Sequence, residues 1–248
     1  CRSLPHWECL RGSVSRSTGA ASSTWDRRRA VPSRRAITTA KNESPARSRT
    51  WPPSGIGPGG FPRGAVERGG GGADRSDPIQ PDVRILDTID IQNSGFRRAV
   101  AGGLTCLNIM PGSGHLSSGQ TAYVKLRPAT RVEDLLILDD ENRPMGGLKM
   151  ANGTNPQRDA PFPGTRGKSA SLVRQAFIDA QEYQRKLDEA AADPGKMPER
   201  NLRMEALCEV LRGERVVHHH THRHDDILTV LRLADEFDFR VVLHHVSD

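Results

Sequence analysis

Long apolar runs, patterned cysteines and an apolar leader are all missing from this sequence. No uninterrupted apolar stretch approaches the roughly 20 residues needed to span a bilayer, so a membrane-embedded protein is not expected. The four cysteines, Cys1, Cys9, Cys106 and Cys208, show no C-x-x-C spacing. That excludes a zinc knuckle and gives no disulfide framework. Cys106 and Cys208 fall in apolar runs and read as buried thiols. No apolar core segment follows the first charges, so no signal peptide is expected and the default location is cytoplasmic.

Lysine is nearly absent from residues 1–72, which carry twelve arginines and one lysine against four acids. That surplus exceeds the +6 of the whole chain, so the remainder is mildly acidic. All three tryptophans, Trp7, Trp25 and Trp51, also lie in this segment. Apolar periodicity is lacking there, while Arg, Ser, Pro and Gly dominate, with four consecutive glycines at Gly69–Gly72. Such a stretch buries too little apolar surface to offset its chain entropy, so residues 1–72 read as disordered. A basic nucleic-acid-binding arm is the alternative, weakened by the missing lysines and by arginines that share no helical face. A third reading is a GC-rich gene translated out of frame, suggested by the abrupt change near Ala73.

Residues 73–248 read as a folded α/β domain. Asp90–Ala101 is patterned as a helix stopped by Gly102-Gly103. Leu104–Met110 reads as a buried strand and Pro111–Gln120 as a glycine-rich loop at its C-terminal end. The loop fits neither the P-loop nor the GxGxxG spacing, so it reads as an active-site loop. His115 and Gln120 within it are substrate-contact candidates. Thr121–Leu126 is a second strand and Val132–Leu138 a third apolar run. Gly147–Asn152 is short and apolar around Lys149. Ser169–Ala192 and Pro198–Arg212 are helices. The alternation of helices and strands predicts a sheet of parallel strands.

Seven of the nine histidines crowd into Glu214–Asp248. Arg215–His220 reads as a strand, Asp226–Phe237 as an amphipathic helix with Ile227, Leu228, Leu231, Ala234 and Phe237 on one face, and Phe239–His245 as a second strand. Strand–helix–strand in about 30 residues is a βαβ unit. Parallel strands share a C-terminal end, roughly 4.8 Å apart, so His220, His222, His244 and His245 are expected to converge there. Active sites of α/β folds are built at that end. Clustered imidazoles suit a divalent metal, zinc first. His218 and His219 alternate across the strand, so at most one shares the face of His220. His224 opens the helix and is expected to face solvent. The competing expectation for any one of these rings is a structural or solvated histidine.

Four segments taken together, Ala101–Arg127, Gly147–Arg158 (GLKMANGTNPQR), His220–Phe237 (HTHRHDDILTVLRLADEF) and Val241–Asp248 (VVLHHVSD), resemble the amidohydrolase superfamily. The nearest branch is the imidazolonepropionase-related metal-dependent hydrolases. The resemblance spans about residues 73–248 and implies a (β/α)8 TIM-type barrel with its metal at the C-terminal face. Here that barrel is expected to be incomplete and preceded by the disordered segment. The resemblance further implies His220 and His245 as metal ligands, with His222 as second member of an HxH. Lys149 is the candidate for a carboxylated bridging lysine, and Lys125 the alternative; either could equally be a solvated or ion-paired side chain. His245 or its neighbour is assigned to polarising a carbonyl, and Arg223 to a substrate carboxylate.

The chain departs from the family pattern in three places. Residues 1–76 contain only His6 and no HxH, the strand bearing the catalytic aspartate has no counterpart, and no small β-sandwich domain is recognisable. The expectation is therefore a hydrolase of a non-peptide C–N bond in a small molecule, inactive as it stands. A metallo-β-lactamase-like reading of His220–Asp226 fails on residue order, with His224 before Asp225, and on the leucine-rich helix that follows.

Overall fold

A computed structural model describes residues 76–247 and the backbone of one short strand, β1 (Ala36–Thr38). The remainder of the segment expected to be disordered lies outside the described residues. After β1 come α1 (Ser94–Ala101), β2 (Cys106–Ile109), β3 (Ser117–Gln120), β4 (Ala122–Lys125), β5 (Gly147–Ala151), α2 (Arg166–Ala192), α3 (Leu202–Leu211), β6 (Val216–Thr221), α4 (His224–Phe237) and β7 (Val241–His245). Short 3-10 turns occupy Ile85–Thr88, Val132–Leu135 and Pro194–Lys196.

The larger sheet has the order β1–β7–β6–β5–β3. Strands β5, β6 and β7 are mutually parallel, as the alternation predicted, and β1 joins β7 in the same sense. β3 departs from the expectation and pairs antiparallel with β5. Among the described residues no pairing closes the sheet into a barrel. A separate antiparallel pair is formed by β2 and β4.

Parallel strands covered on both sides read as nearly continuous apolar runs. Val216-Val217 and Val241–Leu243 obey that rule, while the three consecutive histidines of β6 break it. The register sorts the side chains into two faces. Leu148, Val217 and Val241 form one cross-strand row, and Met150, His219 and Leu243 form the next. The apolar members of these rows join Val173, Phe177, Ala180, Leu207, Val210, Leu233 and Phe237 in the main core, so α2, α3 and α4 cover this face. Phe177 is the hub, with its ring stacked on Phe239 at 5.0 Å and on Phe237 at 5.2 Å. Complete burial of such a ring contributes about 1.5–3 kcal/mol. The opposite face carries Lys149 beside His218 and Val242, then Ala151 beside His220 and His244. A smaller core of Ile85, Ile109, Ala122, Val124, Leu135 and Leu136 supports the β2–β4 pair.

Local chemistry fixes the helix ends. Thr165 caps α2, accepting from Lys168 N at 3.2 Å, and Asn201 caps α3. α4 has no side-chain cap, but Asp225 and Asp226 occupy its first turn, where the helix dipole favours anions. It stops at Asp238, which takes a left-handed φ of 60°.

Three local readings need correction, and a fourth segment gains an element. The 111–120 segment is not all loop, because Ser117–Gln120 forms β3. The helix expected from Asp90 begins at Ser94, since the Asn93 side chain accepts from Gly95 N and sets the start there. The 132–138 apolar run, to which the sequence assigned no element, opens as a 3-10 turn. Cys208 is buried as expected but Cys106 is exposed, because β2 buries only Ile109 fully.

Candidate functional site

The C-terminal ends of β6 and β7 bring the predicted histidines together. The rings of His220 and His245 lie 4.5 Å apart by centroid, His220 and His222 4.6 Å, and His222 and His245 5.2 Å. Strand alternation alone would put His244 and His245 on opposite faces. Backbone strain removes that conflict. His245 has φ of 78° and Val246 of 46°, a region that β-branched residues rarely enter. The reversal is held by Val246 N–H, which donates to Thr221 O at 3.1 Å across the two strand ends. Strain of this kind is worth roughly 1–3 kcal/mol per residue and concentrates at functional sites.

The contacts of these rings differ. Asn155, from the loop after β5, donates from Nδ2 to His220 Nε2 at 2.9 Å and also reaches Ser113 Oγ at 3.3 Å. His220 Nδ1 is buried with no hydrogen-bond partner. His222 is exposed, and its Nδ1 lies 2.7 Å from Ser247 Oγ. His224 faces solvent, as expected. His219 points into the helix-covered face and donates from Nδ1 to His220 O at 3.0 Å.

Deeper in the face that carries His220 lies His218. Its Nε2 is 2.8 Å from the Tyr123 hydroxyl and 3.1 Å from Asn108 Nδ2, and its Nδ1 is 3.0 Å from His244 Nε2. Gly147 makes room for this ring, since a Cβ there would stand 2.4 Å from His218 Cδ2. Tyr123, Asn108 and Asn155 were invisible to sequence reasoning, because each belongs to a segment far away in the chain and none sits in a recognisable spacing.

Lys149 is neither solvated nor ion-paired. It is 3% exposed, and its Nζ donates to Met150 O at 3.1 Å. Burial pushes its ammonium down to about 7. Burial does the same to the imidazoles, with Lys149 adding to it: His218 falls to about 4, His219 and His220 to about 3. His244 drops to about 4 through burial and then the neighbouring His218, and burial also lowers His245. The inner face therefore presents neutral imidazoles and an amine poised near neutrality, the protonation states in which nitrogen binds metals.

The remaining candidates are placed elsewhere. Lys125 is exposed, with its Nζ 3.6 Å from Cys106 Sγ. His115 is buried against Phe162, ring centroids 5.3 Å apart. Gln120 donates to Pro81 O at 3.2 Å and, because β3 runs antiparallel, stands at the opposite end of the sheet. Arg223 is exposed and engages both carboxylate oxygens of Asp225 at 2.9 and 3.0 Å. Asp226 is held by Arg166 at 2.9 Å. A cleft of about 680 Å³ lies at the end of the sheet away from the histidines, lined by Gln120, Arg143, Glu205 and Arg215 among others. Its charges are largely paired with one another, as in Arg143–Asp139 and Arg200–Glu205.

The arrangement meets the needs of a divalent metal only in part. The donor types fit, and three imidazoles are packed within about 5 Å of one another. Yet among the described residues no three His, Cys, Asp or Glu side chains gather their donor atoms as a metal ion requires. No helix among the described residues is long and apolar enough to cross a membrane.

An α/β sheet with strand-end histidines defines the class, and comparison with known proteins adds the family resemblance. The chain resembles the amidohydrolase superfamily. A solved amidohydrolase from Thermotoga maritima MSB8 superposes with a TM-score of 0.68 at 35% identity, over 78% of this chain and 50% of that one. The amidohydrolase tasK of Hapsidospora irregularis is 28% identical over 191 residues, covering 68% of this chain and 19% of the relative. The chain thus spans half or less of the length of these relatives. No family model matches it.

Proposed function

We propose that this chain supplies part of the active site of a divalent-metal-dependent amidohydrolase, zinc first, acting on a non-peptide C–N bond such as an amide or lactam of a small molecule. The observation that carries the proposal is the convergence of His220, His222 and His245 at two adjacent parallel strand ends. His220 and His245 are the principal ligands, His222 a third, and Lys149 the buried amine within the same face. When bound, such a metal would lower the pKa of its water to about 7 and so provide hydroxide at neutral pH.

The chain's own groups then have separate tasks. Burial keeps His220 and His245 neutral, so no proton has to leave before a cation can be held. Asn155 fixes the His220 ring through Nε2, the kind of outer contact that orients a ligand, and must yield if that nitrogen is the one used. His245, or its neighbour His244 where His245 holds the metal, is assigned to polarising a substrate carbonyl. Arg223 sits at the same sheet end but is engaged by Asp225, so any substrate carboxylate would compete with that pair. Because these ligands are a partial set, weak metal binding and no turnover are expected of the chain by itself.

The test is a zinc titration against a chromophoric chelator, comparing the native chain with His220→Ala and His245→Ala. Each substitution is expected to weaken binding about 10–100-fold. Equal affinity in the double variant would mean that the metal, if any, is held elsewhere and that the proposal is wrong.

A further inference from the structure

The inner face contains a second group of polar side chains that the metal proposal leaves unused. Tyr123 and Asn108, from the β2–β4 pair, approach His218 Nε2 at 2.8 and 3.1 Å, while His218 Nδ1 lies 3.0 Å from His244 Nε2. These contacts join two strands of one sheet to a pair that does not belong to it. His218 is 7% exposed, so little solvent reaches its nitrogens.

The donor and acceptor inventory gives the chain a direction. The Tyr123 hydroxyl can donate to His218 Nε2 or accept from it, so its own direction follows from the other group at that atom. The Asn108 amide nitrogen is a donor aimed at the same atom. A donor N–H from Asn108 requires that nitrogen to be bare, and the Tyr123 hydroxyl then donates to it as well. A neutral His218 then carries its proton on Nδ1 and donates it to His244 Nε2. His244, accepting there, must keep its own proton on Nδ1. No carboxylate enters the chain, so nothing in it favours an imidazolium.

We propose that Tyr123 and His218 are positioning residues: the chain Tyr123 O–H to His218 Nε2, then His218 Nδ1–H to His244 Nε2, locks His244 into the Nδ1–H tautomer and makes it a fixed hydrogen-bond donor beside the histidine cluster. The role rests on the hydrolase reading above, in which a carbonyl oxygen must be polarised next to His245. The His244 ring centroid is 6.3 Å from that of His245, with the planes tilted by 56°. A substrate oxygen held between them would meet a donor whose tautomer is set before binding, the condition under which such a hydrogen bond is most effective. Neither proton nor electron is consumed; the chain fixes which nitrogen bears hydrogen.

The experiment is a long-range 1H–15N correlation spectrum of the imidazoles in the uniformly labelled, metal-free protein, with signals assigned by His218→Leu and His244→Gln. The native chain is expected to show protonated Nδ1 and bare Nε2 on both His218 and His244. In His218→Leu the His244 signals should lose this single tautomer. In Tyr123→Phe, which removes only a hydroxyl, the His218 Nε2 signal should move towards that of a less hydrogen-bonded bare nitrogen. A native His244 protonated on Nε2 overturns the proposal, even if His218→Leu fails to fold. So does a His244 tautomer indifferent to His218, or a His218 Nε2 signal indifferent to Tyr123→Phe. The measurement needs neither metal nor substrate. Correct tautomers without zinc binding would refute the hydrolase reading alone, and zinc binding with wrong tautomers would refute this one alone.

Discussion

Burial without counter-charge is what distinguishes Lys149 and the strand histidines. His218, His219, His220 and His244 all titrate well below the ordinary 6.5, chiefly because burial penalises their charged forms. The linked stability follows in sign. On acidification from pH 7.5, the unfolded chain takes up protons near 6.5, while the folded chain resists until about 4 for His218 and lower for His219 and His220. The unfolded state therefore binds more protons throughout that window, and stability falls as pH drops from 6.5 towards 4. At ~1.4 kcal/mol per unit, a ring like His218 costs roughly 3 kcal/mol by pH 4. Lys149 has the same sign in a higher window, so stability should also rise from pH 7 towards 10. Urea midpoints between pH 5 and 9 should climb steadily. A flat profile from 7.5 to 5 would mean that these rings are hydrated.

The histidine cluster was largely legible in the sequence, because β-branched runs, helix period and strand ends are local signals that place His220, His222 and His245 together. The manner in which His244 and His245 both reach β6 was not legible. It depends on left-handed backbone at His245 and Val246, which no composition announces. Lys149 could be singled out, but its burial without a carboxylate partner among the described residues is a property of packing.

Among the elements, β5, β6 and β7 divide the labour between their faces. The helix-covered face is held by the Phe177–Phe237–Phe239 stack, and the histidines contribute little there beyond His219. Phe177→Ala should cost about 3–5 kcal/mol, read as a lowered midpoint in chemical denaturation, with zinc affinity unchanged at temperatures where the variant is folded. A variant that kept its stability would show that α2 does not anchor the sheet. The antiparallel placement of β3 escaped the sequence reading for a physical reason. SSGQ has no β-branched or aromatic residue, and its pairing with β5 relies on the backbone and on Gly119. That glycine has φ of 118°, and a Cβ there would stand 2.3 Å from Val83 O. Gln120 was expected beside the histidines, but reversing one strand carried it to the far end.

For the molecule as a whole, the sheet order ends in β1 and β3. The outer side of β3 is bonded by the 78–84 segment, with Gln80 N–H donating to Ser117 O and Gln120 N–H to Val83 O, so among the described residues β1 is the edge without a further strand. Open edges invite pairing with other chains. Sedimentation of this chain should therefore show concentration-dependent association. A strictly monomeric species with a sharp cooperative melt would argue that this edge is already protected. The relatives are at least twice as long as the part of them matched here.

The three residues Asp238, Phe239 and Arg240 between α4 and β7 carry a consequence for evolution by insertion and deletion. β6 and β7 pair with His220 opposite His244 and Thr221 opposite His245. Side chains alternate with period two, so adding one residue here would slide β7 by one position and exchange its faces. His244 would be driven among the phenylalanines and Leu243 would take its place beside His218. The chemistry of the inner face thus tolerates no single-residue change in the length of this connection, even though its buried residue, Phe239, packs in the helix-covered core.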